Sequence, residues 1–469
     1  MSDRCYDVAI IGAGVVGSAI ARELTSSGFA CVLIDAANDV GKGASKANTA
    51  ILHTGFDARP GSIEAVLVAR GHKLLGRYAK QVGIATEEVG ALLIAWDQEQ
   101  ARALPTIADK ARANGYRAIR KVDRDELYAR EPALAAGATA ALLIPDERII
   151  CPWTTTLAFA TEAVLGGCEL RLGSCVEAID RPRPRLHTLH TSTGVVHACW
   201  LVNAAGASGD AVHLMAGHTG FRISPRRGEL VVFDKLARQL IRHILLPVPT
   251  DVSKGVLITP TVYGNVLLGP TSEEIRNKDD NETTKQGIET LLAAGAKILP
   301  PLLEHEVTAV YAGVRPATDQ ADYQLGVNAD CGYAWAAGIR STGVSASMAI
   351  AKWLASRMSA SRGPRPPHRQ PKFRMPPLGE QQQRPFSSTE AIARNPDFGR
   401  LVCFCERVSQ AEILAAMKAP IPAADLDGLR RRTRALMGRC QGFFCAATLN
   451  ELLDSSPTPR PTSLANGKR

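Results

Sequence analysis

Four cysteines near the end of the chain have a spacing that suits metal binding. They stand in two short pairs, Cys403 with Cys405 and Cys440 with Cys445. Four thiolates in a compact module bind either a tetrahedral zinc ion or an iron–sulfur cluster. Spacing alone leaves these two alternatives equal, and both predict a folded metal module in the last part of the chain.

Two residues earlier in the chain suit the chemistry of a small anionic substrate. His53 follows an apolar pair and a loop of small residues. Such a histidine is often a hydrogen-bonded core group, but beside a cofactor loop its ordinary pKa of about 6.5 suits it to take a proton from a hydroxyl. Arg315 lies between Gly-Val and Pro on a rigid backbone, which favours bidentate binding of a carboxylate or phosphate. Lys254 precedes a predicted strand and, by itself, is typical of a solvated surface charge.

The element that must position a cofactor covers residues 6–35. The sequence there predicts a strand, a glycine turn, a helix and a second strand. The turn has the G-x-G-x-x-G pattern at Gly12, Gly14 and Gly17, and the second strand ends at Asp35. Gly12 permits the tight turn, Gly14 lets the backbone approach a pyrophosphate, and Gly17 lets the helix lie close to the strand. The helix N-terminus offers N–H groups to phosphates, and Asp35 is the candidate ribose ligand. This complete context predicts a dinucleotide site.

Later segments predict the rest of the cofactor domain and a second domain. An apolar strand over residues 200–206 ends in a small-residue turn at Gly206, and a strand, a turn and a helix follow over residues 334–354. Both segments suit further close approaches to the same cofactor. The pattern over residues 226–270 indicates a second, antiparallel sheet. With the helices and strands of residues 86–149, this sheet is expected to cover the first domain as a cap.

Composition and charge exclude several classes of function. The chain has 469 residues, 45% of them hydrophobic and 22% charged, and a formal net charge of +9. No basic stripe interleaved with aromatic residues occurs, so anionic substrates, cofactors or acidic partners are expected rather than a nucleic acid. The sequence has no run of about eighteen apolar residues and no hydrophobic region of a signal peptide. A cytoplasmic protein without a transmembrane segment is therefore expected.

The composition changes near the end of the chain. Residues 359–398 are rich in Pro, Arg, Gln and Ser, which predicts a linker without a core. Residues 457–469 are predicted to form a disordered basic tail. The basic run at residues 430–434 is equally compatible with a solvated helix face and with a docking surface beside a negatively charged thiolate cluster.

The first 358 residues resemble the FAD-dependent glycerol-3-phosphate oxidases and dehydrogenases. The resemblance rests on the glycine turn and on residues 48–55, 226–228, 254–255, 265–271, 312–316 and 338–347. L-2-hydroxyglutarate dehydrogenases and, more remotely, flavin amine oxidases are similar. The resemblance implies a fold of α/β and α+β parts. A Rossmann-like FAD-binding domain (about 1–85, 150–215 and 310–358) carries an inserted antiparallel-sheet substrate cap (about 86–149 and 216–309).

The resemblance also implies roles for single residues. His53 matches the proposed catalytic base, while Lys254 and Arg315 match residues that hold the anionic end of the substrate. Beside the three glycines and Asp35, the residues that match flavin contacts are Ser45, Asn48, Thr49, Val176, Gly206, Gly338, Arg340 and Ser341. The chain departs from its relatives at Asn48-Thr49-Ala50, where they usually have Asn-Ser-Gly, and they vary at the position of Arg340.

Residues 399–456 resemble the small helical [2Fe-2S] domain of the bacterioferritin-associated ferredoxin type. The resemblance rests on the two cysteine pairs and on residues 429–434 and 437–442. It favours iron–sulfur over zinc and makes Cys403, Cys405, Cys440 and Cys445 the cluster ligands. The large subunit of anaerobic glycerol-3-phosphate dehydrogenases carries a similar C-terminal module.

Together these resemblances imply a flavoprotein dehydrogenase for sn-glycerol 3-phosphate. A hydride from C2 would reach flavin N5, His53 would take the hydroxyl proton, and electrons would leave through the [2Fe-2S] cluster to a partner subunit. Such a partner would also be needed for a quinone acceptor, and it would bring the chain to the inner face of the membrane. Two alternatives remain: a dehydrogenase for L-2-hydroxyglutarate or another 2-hydroxy acid, and a non-catalytic electron-transfer subunit of a larger complex.

Overall fold

The computed structural model describes residues 5–249, 255–360 and 371–455. Lys254, the first part of the predicted linker and the predicted tail at residues 457–469 lie outside the described residues. Within them, no helix is long and apolar enough to cross a membrane.

The strands are, in chain order, β1 (Cys5–Ile11), β2 (Cys31–Ile34), β3 (Ile51–Leu52), β4 (Thr86–Glu87), β5 (Ala91–Ala95), β6 (Arg120–Val122), β7 (Ala140–Ile144), β8 (Arg148–Ile150), β9 (Glu169–Arg171), β10 (Val176–Arg183), β11 (Leu186–Thr191), β12 (Gly194–Asn203), β13 (Ile223–Phe233), β14 (Ile244–Pro247), β15 (Leu257–Pro260), β16 (Val266–Gly269), β17 (Glu273–Glu274), β18 (Val307–Thr318), β19 (Gln324–Asn328), β20 (Tyr333–Ala337), β21 (Leu401–Cys403) and β22 (Val408–Ser409). The α-helices are α1 (Val15–Ser26), α2 (Ile63–Val82), α3 (Gln98–Ala113), α4 (Arg124–Arg130), α5 (Pro152–Leu165), α6 (Gly209–Met215), α7 (Lys285–Ile298), α8 (Gly343–Ala360), α9 (Thr389–Arg394), α10 (Gln410–Met417), α11 (Leu426–Thr433) and α12 (Ala446–Asp454).

The strand–turn–helix–strand unit expected at residues 6–35 lies at the centre of an eight-stranded sheet. The strand order is β10-β11-β12-β1-β2-β9, and β20 pairs with the end of β12 and with β19. β1 is parallel to β2 and β12, so Ile11, Ile34 and Asn203 end side by side. The apolar residues of these strands are buried because α1, α5 and α8 cover the sheet. The glycine turn and Gly206 therefore meet at one edge of the sheet.

The second sheet has nine strands and contains both segments expected to form the cap. Its order is β17-β13-β16-β15-β14-β5-β7-β6, with β18 also paired to β13. Two details differ from expectation. The β14–β5 pair is parallel, because it joins the edges of two antiparallel units that come from separate insertions. β18 belongs to the cap sheet, so the cofactor domain resumes after residue 318 rather than at residue 310.

Residues 371–398 were expected to be part of a linker without a core, but part of this segment packs against the first domain. Met375 and Leu378 are buried in the core of the first domain. The backbone N–H of Met375 donates to Val82 O at 2.7 Å. A segment of this composition cannot build a core by itself, but here the neighbouring elements supply the apolar surface and the backbone acceptor.

Residues 401–455 form a small domain with a core of its own, which we call the cluster domain. β21 pairs with β22, and α10, α11 and α12 surround the fully buried side chains of Ile413, Leu429 and Leu449. The helix α11 and the loop before it pack against the first domain near α5. The cluster domain is therefore docked on the first domain rather than set apart from it.

Candidate functional site

The glycine turn lies where β1 and β12 end. Gly12 has a φ of +104°, which residues with a side chain rarely adopt, and a Cβ there would lie 2.4 Å from Ala204 O. A Cβ on Gly17 would lie 1.8 Å from Gly12 O. Neither position can hold a side chain, so α1 and the end of β12 both lie directly on the turn.

Gly14 differs from the other two glycines because space is left where its side chain would be. A Cβ there would approach Oγ of Ser45 at 3.1 Å and no other atom closely. Gly14 is the N-cap of α1, and no side chain caps the helix at this residue. Ser45 Oγ instead accepts the N–H of Val15 at 2.9 Å. The first turn of α1 thus has both room and N–H groups for an anion, which fits the pyrophosphate of a dinucleotide.

Asp35 is fastened to the same turn. Its Oδ2 accepts the N–H of Ala13 at 2.6 Å, and its Oδ1 accepts the N–H of Ala37 at 2.8 Å. Burial raises the pKa of Asp35 against the opposite effect of these two donors. Each carboxylate oxygen keeps a further lone pair. The position suits a ribose hydroxyl, and that role stays a prediction.

Asn48 shapes the loop that follows the turn. Its Nδ2 donates to Ser45 O at 2.9 Å, and its Oδ1 accepts the N–H of Ala50 at 2.8 Å, with Thr49 between them. Ala50 has a φ of +58°, in the left-handed region. This conformation costs a residue with a Cβ roughly 1 kcal/mol. The resembling families usually have a glycine at the position of Ala50, and glycine adopts this conformation easily. The loop of this chain has the same left-handed conformation there, although Ala50 has a side chain.

Four further predicted flavin contacts lie after β12, at the start of β10 and in the turn before α8. Gly206 has a φ of +56° just after β12, and Val176 begins β10 with a partly buried side chain. Gly338 has a φ of +66° and Ser341 is exposed, both in the turn before α8. Contact of these residues with the flavin stays a prediction.

Arg340, in the same turn, is engaged by the protein itself. Its Nη2 donates to Ala321 O at 2.7 Å and lies 3.4 Å from Glu64 Oε2. Glu64 also accepts the hydroxyl of Thr342 at 2.8 Å. Arg340 therefore stabilises the turn before α8.

His53 forms a pair with Glu147, a residue that no sequence pattern indicated. Nδ1 of His53 lies 3.0 Å from Oε2 of Glu147, whose side chain is fully buried. Thr54 donates its N–H and its hydroxyl to Oε1 of Glu147, at 2.7 and 2.8 Å. The N–H of His53 donates to Ser345 Oγ in α8 at 2.8 Å. Because the His53 side chain is still 21% exposed, the pair has the arrangement of a base and the group that orients it.

The pairing of two short strands brings these residues together. Glu147 lies in the turn between β7 and β8, and β8 pairs with β3, where Leu52 is opposite Arg148. His53 and Glu147 each adjoin one member of that pair. A single charged residue in a turn has no local signal, so only knowledge of this strand pairing would have pointed to Glu147.

Arg315 lies on β18 with a partly buried side chain and no carboxylate partner in the part of the chain that the structure describes. Its Nη2 donates to Thr271 O at 3.1 Å. Gly228 gives it room, since a Cβ there would lie 2.4 Å from Nη2. Burial and the nearby Arg226 lower the pKa of Arg315. A desolvated guanidinium without a counterion suits an anionic ligand. Lys254, its predicted companion, lies outside the described residues.

β18 also touches the loop at residues 44–50. A Cβ on Gly313 would lie 2.6 Å from Ala47 O. Arg315 is two residues further along and thus projects from the same face of the strand. One strand therefore connects the predicted flavin loop with the candidate anion site.

The four cysteines of the cluster domain lie as two pairs. The thiols of Cys403 and Cys445 contact each other, and so do those of Cys405 and Cys440. Among the described residues, no three His, Cys, Asp or Glu side chains are grouped closely enough to hold a single metal ion. Four thiols in two adjoining pairs would supply the four-cysteine ligand set of a [2Fe-2S] cluster.

The cysteine loops combine thiolate stabilisation with exposed aromatic residues. Backbone N–H groups, foremost that of Phe444, lower the pKa of Cys440. Phe404, Phe443 and Phe444 are 68%, 85% and 71% exposed. The side of the loops that carries these rings faces solvent.

The basic run at residues 430–434 faces the first domain for the most part. Arg432 donates to both carboxylate oxygens of Asp39 at 2.7 Å, and Arg431 donates to Asp39 Oδ2 at 2.5 Å. These three side chains are buried, whereas Arg430 is exposed. The run is thus a docking surface, and it docks on the first domain of its own chain.

Arg434 extends this contact toward the loop at residues 44–50. Its guanidinium lies 4.1 Å from the ring centroid of Tyr263 and donates to Glu406, the neighbour of Cys405, at 3.1 Å. The Tyr263 ring stacks on Trp153 at 5.3 Å, and Trp153 Nε1 donates to Lys46 O at 3.0 Å. A continuous row of contacts joins the cysteine loop to the predicted flavin loop.

Comparisons with known proteins bear on both domains. The family described as FAD dependent oxidoreductase matches residues 7–357, which is most of the chain. The chain belongs to this family. A second family, described as BFD-like [2Fe-2S] binding domain, matches residues 401–455. This FAD-dependent oxidoreductase thus ends in a [2Fe-2S] domain, which confirms the predicted fold class and both predicted cofactors.

Relatives of this FAD-dependent oxidoreductase match it over nearly its whole length. The glycerol 3-phosphate dehydrogenase of Caloramator mitchellensis is 31% identical over 457 residues, which cover 96% of this chain and 94% of that protein. One subunit of the anaerobic glycerol-3-phosphate dehydrogenase of Escherichia coli strain K12 is 26% identical over 490 residues, which cover 95% and 88%. The structure of dithionite-reduced L-alpha-glycerophosphate oxidase from Mycoplasma pneumoniae with FAD bound has a TM-score of 0.75 at 24% identity, and the match covers 80% of this chain and 99% of that chain.

Proposed function

We propose that this FAD-dependent oxidoreductase oxidises glycerol 3-phosphate and delivers the electrons to a partner protein. The names of the two full-length relatives support this substrate. The proposal rests on the combination of the oriented His53–Glu147 pair with Arg315, whose guanidinium has no carboxylate partner within residues 5–249, 255–360 and 371–455. Both occur on a chain with an open dinucleotide turn. A non-catalytic electron-transfer subunit would have no use for this combination.

His53 takes the proton of the substrate hydroxyl in this proposal. A carboxylate 3.0 Å from Nδ1 favours the tautomer with the proton on Nδ1, which makes Nε2 the acceptor. The buried charge of Glu147 stabilises the imidazolium that forms when the proton arrives. The two hydrogen bonds from Thr54 hold the carboxylate in place meanwhile.

Arg315 binds the anionic end of the substrate. Its donors are desolvated, and among the described residues no carboxylate competes with a ligand for them. A guanidinium binds a phosphate or a carboxylate equally well in geometric terms. The 2-hydroxy acids therefore remain the second candidate class of substrate.

Electrons leave the chain on the aromatic side of the cluster domain. When bound, FAD accepts a hydride and the [2Fe-2S] cluster passes single electrons onward. The first domain covers α11 of the cluster domain, whereas Phe404, Phe443 and Phe444 of the cysteine loops are exposed. Exposed aromatic groups are typical of protein interfaces. The Escherichia coli relative is named as one subunit of its enzyme, which supports a partner protein here.

Anaerobic bleaching of the flavin tests the proposal. The panel contains sn-glycerol 3-phosphate, its enantiomer sn-glycerol 1-phosphate, L-2-hydroxyglutarate, L-lactate and glycine. Fast bleaching by sn-glycerol 3-phosphate alone supports the proposal. Bleaching by a 2-hydroxy acid instead would mean that the substrate is a 2-hydroxy acid and that Arg315 binds its carboxylate. A flavin that dithionite reduces but no member of the panel bleaches would favour the non-catalytic alternative.

A further inference from the structure

A loop of the first domain, residues 38–46, lies between the glycine turn and the cluster domain, and we call it the clamp loop. The N–H of Gly41 donates to Ala13 O at 2.9 Å. Oγ of Ser45 accepts the N–H of Val15, also at 2.9 Å. These two bonds fasten the clamp loop to the turn that fits the pyrophosphate.

On its other side, the clamp loop is bonded to the cluster domain through every one of its ionisable side chains. The pairs are Asp39 with Arg431 and Arg432, Lys42 with Asp425 and Asp427, and Lys46 with Asp427, and Asn38 adds a hydrogen bond to Asp425. The nitrogen–oxygen distances range from 2.5 to 3.9 Å. The partners all lie in α11 or at its N-cap.

The pairs of Asp39 are the most protected of these contacts. The side chains of Asp39, Arg431 and Arg432 are 5%, 6% and 4% exposed. Removing one of the two arginines would leave part of the buried Asp39 charge without a partner, which costs far more than removing one member of a surface pair. The clamp loop is therefore held to α11, and α11 is itself packed on α5 of the first domain.

We propose that the cluster domain retains FAD by keeping the clamp loop closed against the glycine turn. Gly41 of the clamp loop, Trp153 of α5 and the two arginines line a narrow cavity at this junction. Release of the cofactor requires the loop to leave the turn, and hence the pairs of Asp39 to open. The two arginines are positioning residues, because they act through the loop. The proposal concerns retention of FAD and holds whichever substrate is oxidised.

The test uses the full-length protein with both cofactors. In Arg431→Gln, FAD release on dilution, followed by the rise in flavin fluorescence, should be at least about tenfold faster than in the wild type. Hydrogen exchange over residues 38–46 should also be faster. Arg431→Lys keeps the charge and should restore an intermediate release rate.

Arg384→Gln is the matched control. Arg384 pairs with Glu412 of the cluster domain at 2.7 Å, with side chains 11% and 9% exposed. In the part of the chain that the structure describes, neither side chain bonds to the clamp loop. Its FAD release should stay within about twofold of the wild type. Equal acceleration in both variants would overturn the proposal, since domain docking in general would then retain FAD.

Unchanged FAD release in Arg431→Gln with a wild-type iron content would also overturn the proposal. If that variant does not accumulate as folded protein, Asp427→Asn replaces it. This change removes the carboxylate partner of Lys46 and one of the two carboxylate partners of Lys42. Faster release in Asp427→Asn supports the clamp, and an unchanged rate contradicts it.

Discussion

The carboxylate of Glu147 lies 3.0 Å from Nδ1 of His53 although 94 residues separate the two in the chain. A second pair has the same form. The fully buried carboxylate of Glu131 lies 2.7 Å from Nδ1 of His243 and accepts the N–H groups of Arg242 and His243. The first pair adjoins the predicted flavin loop, whereas the second lies in the cap. The protein therefore contains an internal control for its candidate catalytic pair.

Replacing His53 with Ala should lower turnover by about 100- to 10,000-fold while FAD stays bound, because a positioned general base contributes about that much. Glu147→Gln keeps the shape of the side chain but removes the charge that orients and stabilises the imidazole. It should lower turnover by at least about tenfold. Anaerobic stopped-flow bleaching of the flavin measures both effects.

His243→Ala and Glu131→Gln are the matched controls for these variants. They should lower the melting temperature, because each leaves a buried partner unsatisfied. Turnover per bound flavin should stay within about twofold of the wild type. If the variants of both pairs lose turnover to a similar extent, His53 is a hydrogen-bonded core group rather than the catalytic base.

Arg315→Ala should raise KM by at least about tenfold with a smaller change in kcat, since contact with the substrate anion exists before and during the reaction. Arg226 lies opposite Arg315 on β13 but pairs with Glu274 at the surface, at 2.8 Å. Arg226→Ala is therefore the control and should leave KM nearly unchanged. A wild-type KM in Arg315→Ala would show that Arg315 does not bind the substrate.

Gly14→Val should abolish the yellow colour of the purified protein, because the added side chain fills the space next to Ser45 that fits the pyrophosphate. Gly43→Ala provides the comparison. Gly43 has a φ of −79°, and a Cβ there would have no atom within 4 Å. The visible spectrum of both variants gives the answer, and full FAD retention in Gly14→Val would contradict the assignment of the turn.

Anaerobically prepared protein should contain iron and sulfide and give a paramagnetic signal when reduced. Cys440→Ser should abolish that signal because it removes one of the four thiolates. Cys175, an exposed cysteine of the first domain, provides the control variant Cys175→Ser, which should keep the signal. Zinc without sulfide in the wild type would be inconsistent with two iron-binding pairs.

The contacts of α11 should weaken in acid. Burial opposes ionisation of Asp427, but Arg431, Lys46 and Arg430 outweigh it and lower its pKa to about 2. The stabilisation by this group is therefore complete above the unfolded pKa of about 3.9 and is lost as the pH falls toward about 2. The free energy of unfolding of the wild type should exceed that of Asp427→Asn at pH 5, and this difference should shrink as the pH falls. A difference independent of pH would contradict the assignment.

Local patterns predicted the elements around the cofactor well. The glycine turn and the strand ending at Asp35 have a spacing fixed by the turn geometry itself, and the structure contains both. The helix α3 likewise has local signals, namely its apolar period and the N-cap Asp97.

Long-range pairings could not be predicted in this way. Glu147 reaches His53 only through the pairing of β3 with β8, and Arg432 reaches Asp39 across 393 positions of the chain. No spacing of residues in the sequence predicts either pair, since each contact depends on how whole elements dock. For the same reason, the composition of residues 371–398 indicated a linker although the first domain provides a surface for Met375.

The order of the strands in the first sheet has a consequence for biosynthesis. β1 is made first, but its parallel neighbour β12 begins only at Gly194, and β20 begins at Tyr333. Contacts this distant in the chain form slowly and leave apolar strands exposed during translation. The cofactor domain can complete its sheet before α11 has been made, so a nascent chain passes through a stage in which the clamp loop has no partner. If the clamp loop retains FAD as proposed, FAD should enter most easily at that stage, before the cluster domain closes over the turn.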